Sequence, residues 1–217
     1  MRVAGPLARF GAVGDIHCED ALLAAALDHL AVQRLDHVLA VGDIADGRGD
    51  VNRCCELLER HGVTAVAGNH DRWLLTEQAR DLPEATQLAG VSERTRLFLT
   101  QLPRSVRFDT IAGPLLLCHG LGDNDMAKIS PDDYGYALES NFELQNLIRS
   151  DHSLVLCGHT HRRMVRSFGA LTIVNAGTLR SADTPCFVVL DLDGRFAQFF
   201  DLAVDGTVTE AERLSFA

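Results

Sequence analysis

A layered α/β domain is the fold class this sequence predicts, and three observations predict it. Short apolar runs that end in glycine and a polar cluster recur as "FGAVGDIH", "HVLAVGDI", "VTAVAGNHD", "GPLLLCHG" and "SLVLCGHTH", each reading as a buried strand that empties into a loop. Helical periodicity fills the gaps between the early runs, so strand and helix alternate, the order in which helices pack on a sheet. With 217 residues, 47% of them hydrophobic, the chain can bury a substantial core. One domain spanning residues 1–217 is the expectation.

The elements follow in order. "DALLAAALDHLAVQR" (20–34) and "VNRCCELLERH" (51–61) place apolar residues at three- and four-residue spacing and are expected to be helices. Further helices are expected near 73–80, 91–101 and 133–149. The Gly-, Asp- and Pro-punctuated stretch 121–136, "LGDNDMAKISPDDYGY", reads as a loop. The C-terminal part turns to strands, "MVRSFG", "LTIVNAG", "CFVVLDLDG" and "RFAQFFDL", with "DLDGR" as a tight hairpin turn. No repeat or low-complexity tract interrupts the pattern.

Composition narrows the function. A formal net charge of −10 argues against a surface that tracks polymeric nucleic acid, which needs clustered Lys and Arg. An anionic substrate still fits if cations reverse the sign inside one cleft. Apolar runs such as "ALLAAAL" fall well short of the ~20 residues that cross a bilayer, and the start lacks an apolar signal core, so no membrane association and a cytoplasmic location are expected. The six cysteines form no CxxC pair and read as reduced, buried thiols.

Five of the nine histidines, His17, His70, His119, His159 and His161, stand at the ends of the strand runs beside Asp15, Asp43 and Asn69. The carboxyl ends of strands in an open α/β sheet are where ligands collect. In "GDIH" and "GHTH" two donors lie two positions apart and share a face in extended backbone. Imidazoles mixed with carboxylates and one amide suit Mn, Fe, Zn, Co or Ni better than Ca. Eight candidates exceed the four to six ligands of one transition-metal ion, so two ions are expected. His29, His37, His61 and His152, outside the motifs, read as structural.

Taken together, the motifs resemble those of the calcineurin-like metallophosphoesterases: D-x-H as Asp15-Ile16-His17, GD as Gly42-Asp43, GNH[DE] as Gly68-Asn69-His70-Asp71, His-Gly as His119-Gly120 and GHxH as Gly158-His159-Thr160-His161. The small bacterial phosphodiesterases of that superfamily are the most similar branch, on the strength of "NAGTLR" (175–180). The resemblance implies a four-layer α/β/β/α sandwich of two mixed β-sheets flanked by helices. It implies two divalent transition-metal ions, manganese first among Mn, Fe, Zn, Ni and Co. Asp15, His17 and His161 would hold one ion, Asn69, His119 and His159 the other, and Asp43 would bridge them. Such a pair polarises phosphoryl oxygens and generates hydroxide near neutral pH for in-line attack. His70 would lie over the phosphate as general acid, and Asp71 would support the loop.

Asp46 has two readings: the aspartate that orients this histidine in the phosphoprotein phosphatase branch, or a cap for the helix that begins near Val51. The sequence departs from the GDxxDRG pattern of phosphoprotein phosphatases, with Gly47 where the phosphate-contacting arginine stands. Arg48, Arg72, Arg162 and Arg180 lie near motifs as substitutes, none of them assigned. Loop 121–136 is placed to select substrate, with Tyr134, Tyr136 and Trp73 as stacking candidates. The expected activity is hydrolysis of a phosphate mono- or diester on a small phosphorylated substrate. The competing readings are a nuclease, a serine/threonine-type protein phosphatase, and a non-catalytic scaffold of the same fold.

Overall fold

The computed structural model describes residues 5–216, and the periodicity of the strands explains its layering. In β1 (Arg9–Val13), Phe10 and Ala12 point to one side and Val13 to the other, the period-two alternation of a sheet buried on both faces. β1 pairs in parallel with β2 (His37–Ala40), and β2 with β3 (Thr64–Ala65). On its other edge β1 runs antiparallel to β9 (Cys186–Asp191), followed by β10 (Phe196–Leu202) and β11 (Val208–Ser215). The first sheet thus has the order β11-β10-β9-β1-β2-β3.

The second sheet has the order β4-β5-β6-β8-β7. β5 (Gly113–Cys118), β6 (Leu154–Cys157) and β8 (Leu171–Asn175) are parallel, and β4 (Ser105–Thr110) and β7 (Met164–Phe168) are antiparallel edges. Phe10, Leu39, Leu117, Leu156, Val188 and Phe199 fill the space between the sheets. The outer face of the first sheet packs on α1 (Asp20–Ala31), α2 (Val51–Arg60), α3 (Asn69–Thr76) and α4 (Glu93–Gln101). That of the second packs on α6 (Phe142–Arg149) through Leu144 and Leu147. Three apolar interlayers make four layers, two mixed sheets flanked by helices, as expected.

Several boundaries differ from the sequence reading. The helix expected near 73–80 begins at Asn69, because Asp71 at its third position accepts the Gly68 amide and closes the first turn. The helix expected over 133–149 is two: α5 (Tyr136–Glu139) stops at Ser140, and Asn141 caps α6 by accepting from the Leu144 amide. β4 and β11 had no sequence expectation; both are edge strands that carry exposed charged residues such as Arg107, Asp109, Glu210 and Arg213 and so lack the apolar runs of the central strands. The turn at "DLDGR" joins β9 to β10, with Arg195 left-handed at φ 56°.

All six cysteines are buried free thiols. Among the histidines outside the motifs, His29 packs on Phe187 and Phe200, His37 contacts the Thr64 hydroxyl and His152 that of Ser150. Among the described residues no helix is long and apolar enough to cross a membrane.

Candidate metal centre

Each motif residue follows the carboxyl end of a parallel strand. Asp15 and His17 follow β1, Asp43 follows β2, Asn69 follows β3, His119 follows β5, and His159 and His161 follow β6. The two sheets are stitched together at this edge. The Asp15 amide donates to the Gly177 carbonyl, and the Leu179 amide and Thr178 hydroxyl donate to the Asp15 carbonyl. The approach requires glycine, since a Cβ on Gly14 would overlap the Gly177 carbonyl. "NAGTLR" is therefore the seam that holds Asp15 in place.

The backbone is strained where the donors turn inward. His17, Cys18, Asp43, Asp46, His159 and His161 all adopt positive φ, between 47° and 70°, a conformation that costs non-glycine residues free energy and clusters at functional sites. Partners behind each ring fix which nitrogen faces the cleft. His17 Nδ1 contacts the Asp46 carbonyl at 2.8 Å and His119 Nδ1 the Val41 carbonyl at 2.9 Å. His161 Nδ1 sits 2.8 Å from the Asp183 carboxylate. In all three the Nε2 atom is left for the interior, the arrangement that orients metal-binding histidines.

Those free nitrogens converge. His17 Nε2 and His161 Nε2 lie 3.0 Å apart, and His119 Nε2 and His159 Nδ1 each lie 3.0 Å from Asn69 Oδ1. The Asp43 carboxylate reaches within 3.3 Å of His119 Nε2 and 3.8 Å of His17 Nε2. Ligand-capable atoms of Asp43, His119 and His159 all lie within 4.8 Å of one another, as do those of His17, Asp43 and His70. Asp43 belongs to both groups, so the donors form two clusters about one shared carboxylate.

The donor set fits cations. Asp15 and Asp43 are 0% and 1% exposed, and the buried Asp15 Oδ2 has no hydrogen-bond partner. An unpaired buried carboxylate oxygen is costly unless a cation meets it. Burial presses the His119 imidazole down, yet the charges of Asp43 and Asp15 more than reverse this, to about 10. Burial likewise pushes Asp43 up, and His119 and His17 outweigh it and hold the carboxyl well below its usual range. The two carboxylates thus favour a positive charge beside them, on the nearest imidazole or on a cation.

His70, partly buried, shares a cluster with His17 and Asp43 but differs from the other rings in what holds it. Its Nδ1 lies 2.8 Å from Asp46 Oδ2, which occupies that nitrogen with a carboxylate. Burial lowers its basicity, but the hydrogen bond to Asp46 and the charge of Asp43 leave it above the ordinary value of 6.5. Asp71, fully buried, turns away from the donors to accept from the Ile44, Ala45 and Gly68 amides, tying the "GD" loop to the "GNHD" turn. Of the two readings of Asp46, its side-chain contacts choose the histidine. The cap of α2 is Asp50, which accepts from the Asn52 amide.

None of the four arginines near the motifs is free. Arg48 pairs with Glu84, Arg72 forms a fork on Asp125, Arg162 pairs with Asp132, and Arg180 lies between Glu84 and Asp183. The position of the absent arginine is closed as well, since a Cβ on Gly47 would overlap the His17 carbonyl. Trp73 lies edge-on to His70, their ring centroids 4.8 Å apart, whereas Tyr134 and Tyr136 are more than four-fifths exposed. Two residues with no motif signature belong to the site: Asp183, behind His161, and Arg80, behind Asp46.

The calcineurin-like phosphoesterase superfamily domain model matches residues 9–195, and the chain belongs to that family. A metallophosphoesterase from Sphaerobacter thermophilus is similar in structure, with TM-score 0.65, 21% identity, and coverage of 89% of this chain and 87% of that one. YfcE, a phosphoesterase from E. coli, has TM-score 0.58 and 16% identity over 96% of this chain and 100% of its own. Vps29 from Chaetomium thermophilum has TM-score 0.59 and 16% identity over 96% and 97%. Comparison with the curated proteins gives no significant match.

Proposed function

We propose that the protein hydrolyses a phosphate mono- or diester on a small substrate, using two divalent transition-metal ions. The observation that carries this reading is the sharing of Asp43 by two clusters of ligand-capable side chains, beside a buried Asp15 oxygen with no other partner. Asp15, His17 and His161 would hold one ion, Asn69, His119 and His159 the other, with Asp43 between them. Manganese leads the expected metals, with Fe, Zn, Ni and Co the alternatives. When bound, such a pair supplies Lewis acidity toward phosphoryl oxygens and a nucleophile at neutral pH.

The chain's own residues supply the rest. His70 holds a proton on a ring whose Nδ1 is anchored to Asp46, and it delivers that proton to the departing oxygen, a contribution of about 10²- to 10⁴-fold in rate. Asp46 orients the ring. The four arginines near the motifs are each paired with carboxylates, so the metals would be a principal attraction for an anionic substrate. The proposed branch is that of the small bacterial phosphodiesterases and the proposed location is cytoplasmic.

The test is hydrolysis of aryl phosphate mono- and diesters by protein reconstituted with Mn, Ni, Co, Fe or Zn. Activity that disappears in Asp43→Ala supports the reading, and full activity in that variant overturns it. Protein purified without chelator that contains no stoichiometric metal favours a scaffold of the same fold.

A further inference from the structure

The segment that connects α3 to α4 carries the least expected contacts in the molecule. Its residues carry no motif, and the helix expected near 73–80 ends at Thr76, yet two of them, Arg80 and Thr86, bind Asp46. Arg80 places its two terminal nitrogens on the two oxygens of Asp46, each at 2.8 Å. The Thr86 amide donates to Asp46 Oδ1 at 2.9 Å, and the Asp46 amide returns a bond to the Thr86 hydroxyl at 2.9 Å. Arg80 is itself held by the Gln78 and Thr86 carbonyls, and its side chain is only 18% exposed.

We propose that Arg80 is a positioning residue for His70, acting through Asp46: its fork fixes the plane of the carboxylate so that Oδ2 meets His70 Nδ1 and the ring stands in one orientation over the cleft. A bidentate guanidinium sets a carboxylate plane in a way a point charge does not. The positive φ of Asp46, 65°, shows why an outside restraint is needed. The backbone there is strained and holds this conformation only where surrounding contacts over-determine it. With Gly47 closed against the His17 carbonyl, an arginine from a distant loop reaches the Asp46 side of the site and binds the carboxylate. Its task is therefore orientation rather than contact with phosphate.

This inference rests on the phosphoesterase reading for its kinetic consequence and on geometry alone for its structural one, so two measurements separate them. In Arg80→Met, hydrolysis of alkyl phosphate esters by the manganese-loaded enzyme should fall on the order of 10- to 100-fold. Activated aryl esters, which need little protonation, should change far less, and metal content should stay at the wild-type level. Arg80→Lys should recover only part of the loss. Independently, nitrogen-15 NMR of the histidine rings, with His70→Asn to assign the signal, should show a hydrogen-bonded His70 Nδ1 proton that is lost in Arg80→Met and weakened in Arg80→Lys. Equal loss on alkyl and aryl esters, or an unchanged Nδ1 signal in a folded Arg80→Met protein, overturns the proposal. If the wild-type protein hydrolyses neither ester class, the phosphoesterase reading fails and the NMR result still decides the role of Arg80.

Discussion

The two arms that meet at Asp43 are built on different physical plans. The donor arm, Asp15, His17, Asn69, His119, His159 and His161, hangs from the ends of parallel strands in two sheets, and three of its rings are oriented by a backbone carbonyl or Asp183 directly behind them. The proposed acid arm, His70, Asp46 and Arg80, is a relay of side chains from a helix start, a loop and a second loop 34 residues further on. The first plan takes its precision from the sheet ends to which the donors are attached. The second takes it from charge-assisted bonds, so each link can be cut with less damage to the fold.

The largest effect that would break this contrast belongs to the residue both arms share. Asp43→Ala should abolish hydrolysis and lower metal content, because its carboxylate lies in both ligand clusters; assay and elemental analysis on the same sample check this. Next come two neighbours in the chain. Asn69→Ala should weaken metal occupancy, since two ring nitrogens converge on its Oδ1. His70→Ala should leave both ions bound and slow alkyl esters by about 10²- to 10⁴-fold, with a much smaller effect on activated aryl esters. Loss of metal in His70→Ala would merge the two arms into one.

The same contrast explains what could be read in the sequence. The donor arm was legible because strand ends impose short fixed spacings, so Asp15 with His17 and His159 with His161 appear as local patterns after an apolar run. The layered α/β fold was legible for the same reason, its buried strands being nearly continuous apolar runs, whereas the four-layer arrangement of two sheets was implied by the family resemblance of the motifs. Arg80, Thr86 and Asp183 were illegible because nothing local distinguishes a loop arginine that reaches across the fold from one in solvent. The first turn of α3 was misread as loop since Gly68 and Asn69 are poor helix formers, and only the Asp71 cap, a tertiary tie as well, makes the start visible.

A smaller effect tests whether the "GD" loop and the "GNHD" turn are one unit. Asp71 accepts from three buried amides, and burial together with the Asp43 charge pushes its carboxyl above the usual range while the Gly68 and Ala45 amides oppose the rise. Asp71→Ala strands these donors and should cost roughly 3 kcal/mol of stability in denaturant unfolding. Asp71→Asn keeps one acceptor and should cost less. A neutral Asp71→Ala would mean that the loops are held by the metal donors alone.

The finest distinction concerns what Asp46 does to the proton on His70. Burial by itself lowers the basicity of this ring, and the hydrogen bond to Asp46 followed by the charge of Asp43 raises it above 6.5. A histidine raised in the folded state contributes stability that is complete below 6.5 and is lost as pH climbs through the higher folded value. The rate on alkyl esters, which uses the protonated ring, should share that alkaline limb. Asp46→Asn removes the leading upward influence and leaves burial opposed by the Asp43 charge, so its limb should move to lower pH, and the stability of the variant should lose the matching pH-dependent increment. Hydrolysis of activated aryl esters should show no corresponding movement. A pH profile for alkyl esters that is identical in wild type and Asp46→Asn would show that Asp46 places the ring without tuning its proton, and the acid arm would then rest on geometry alone.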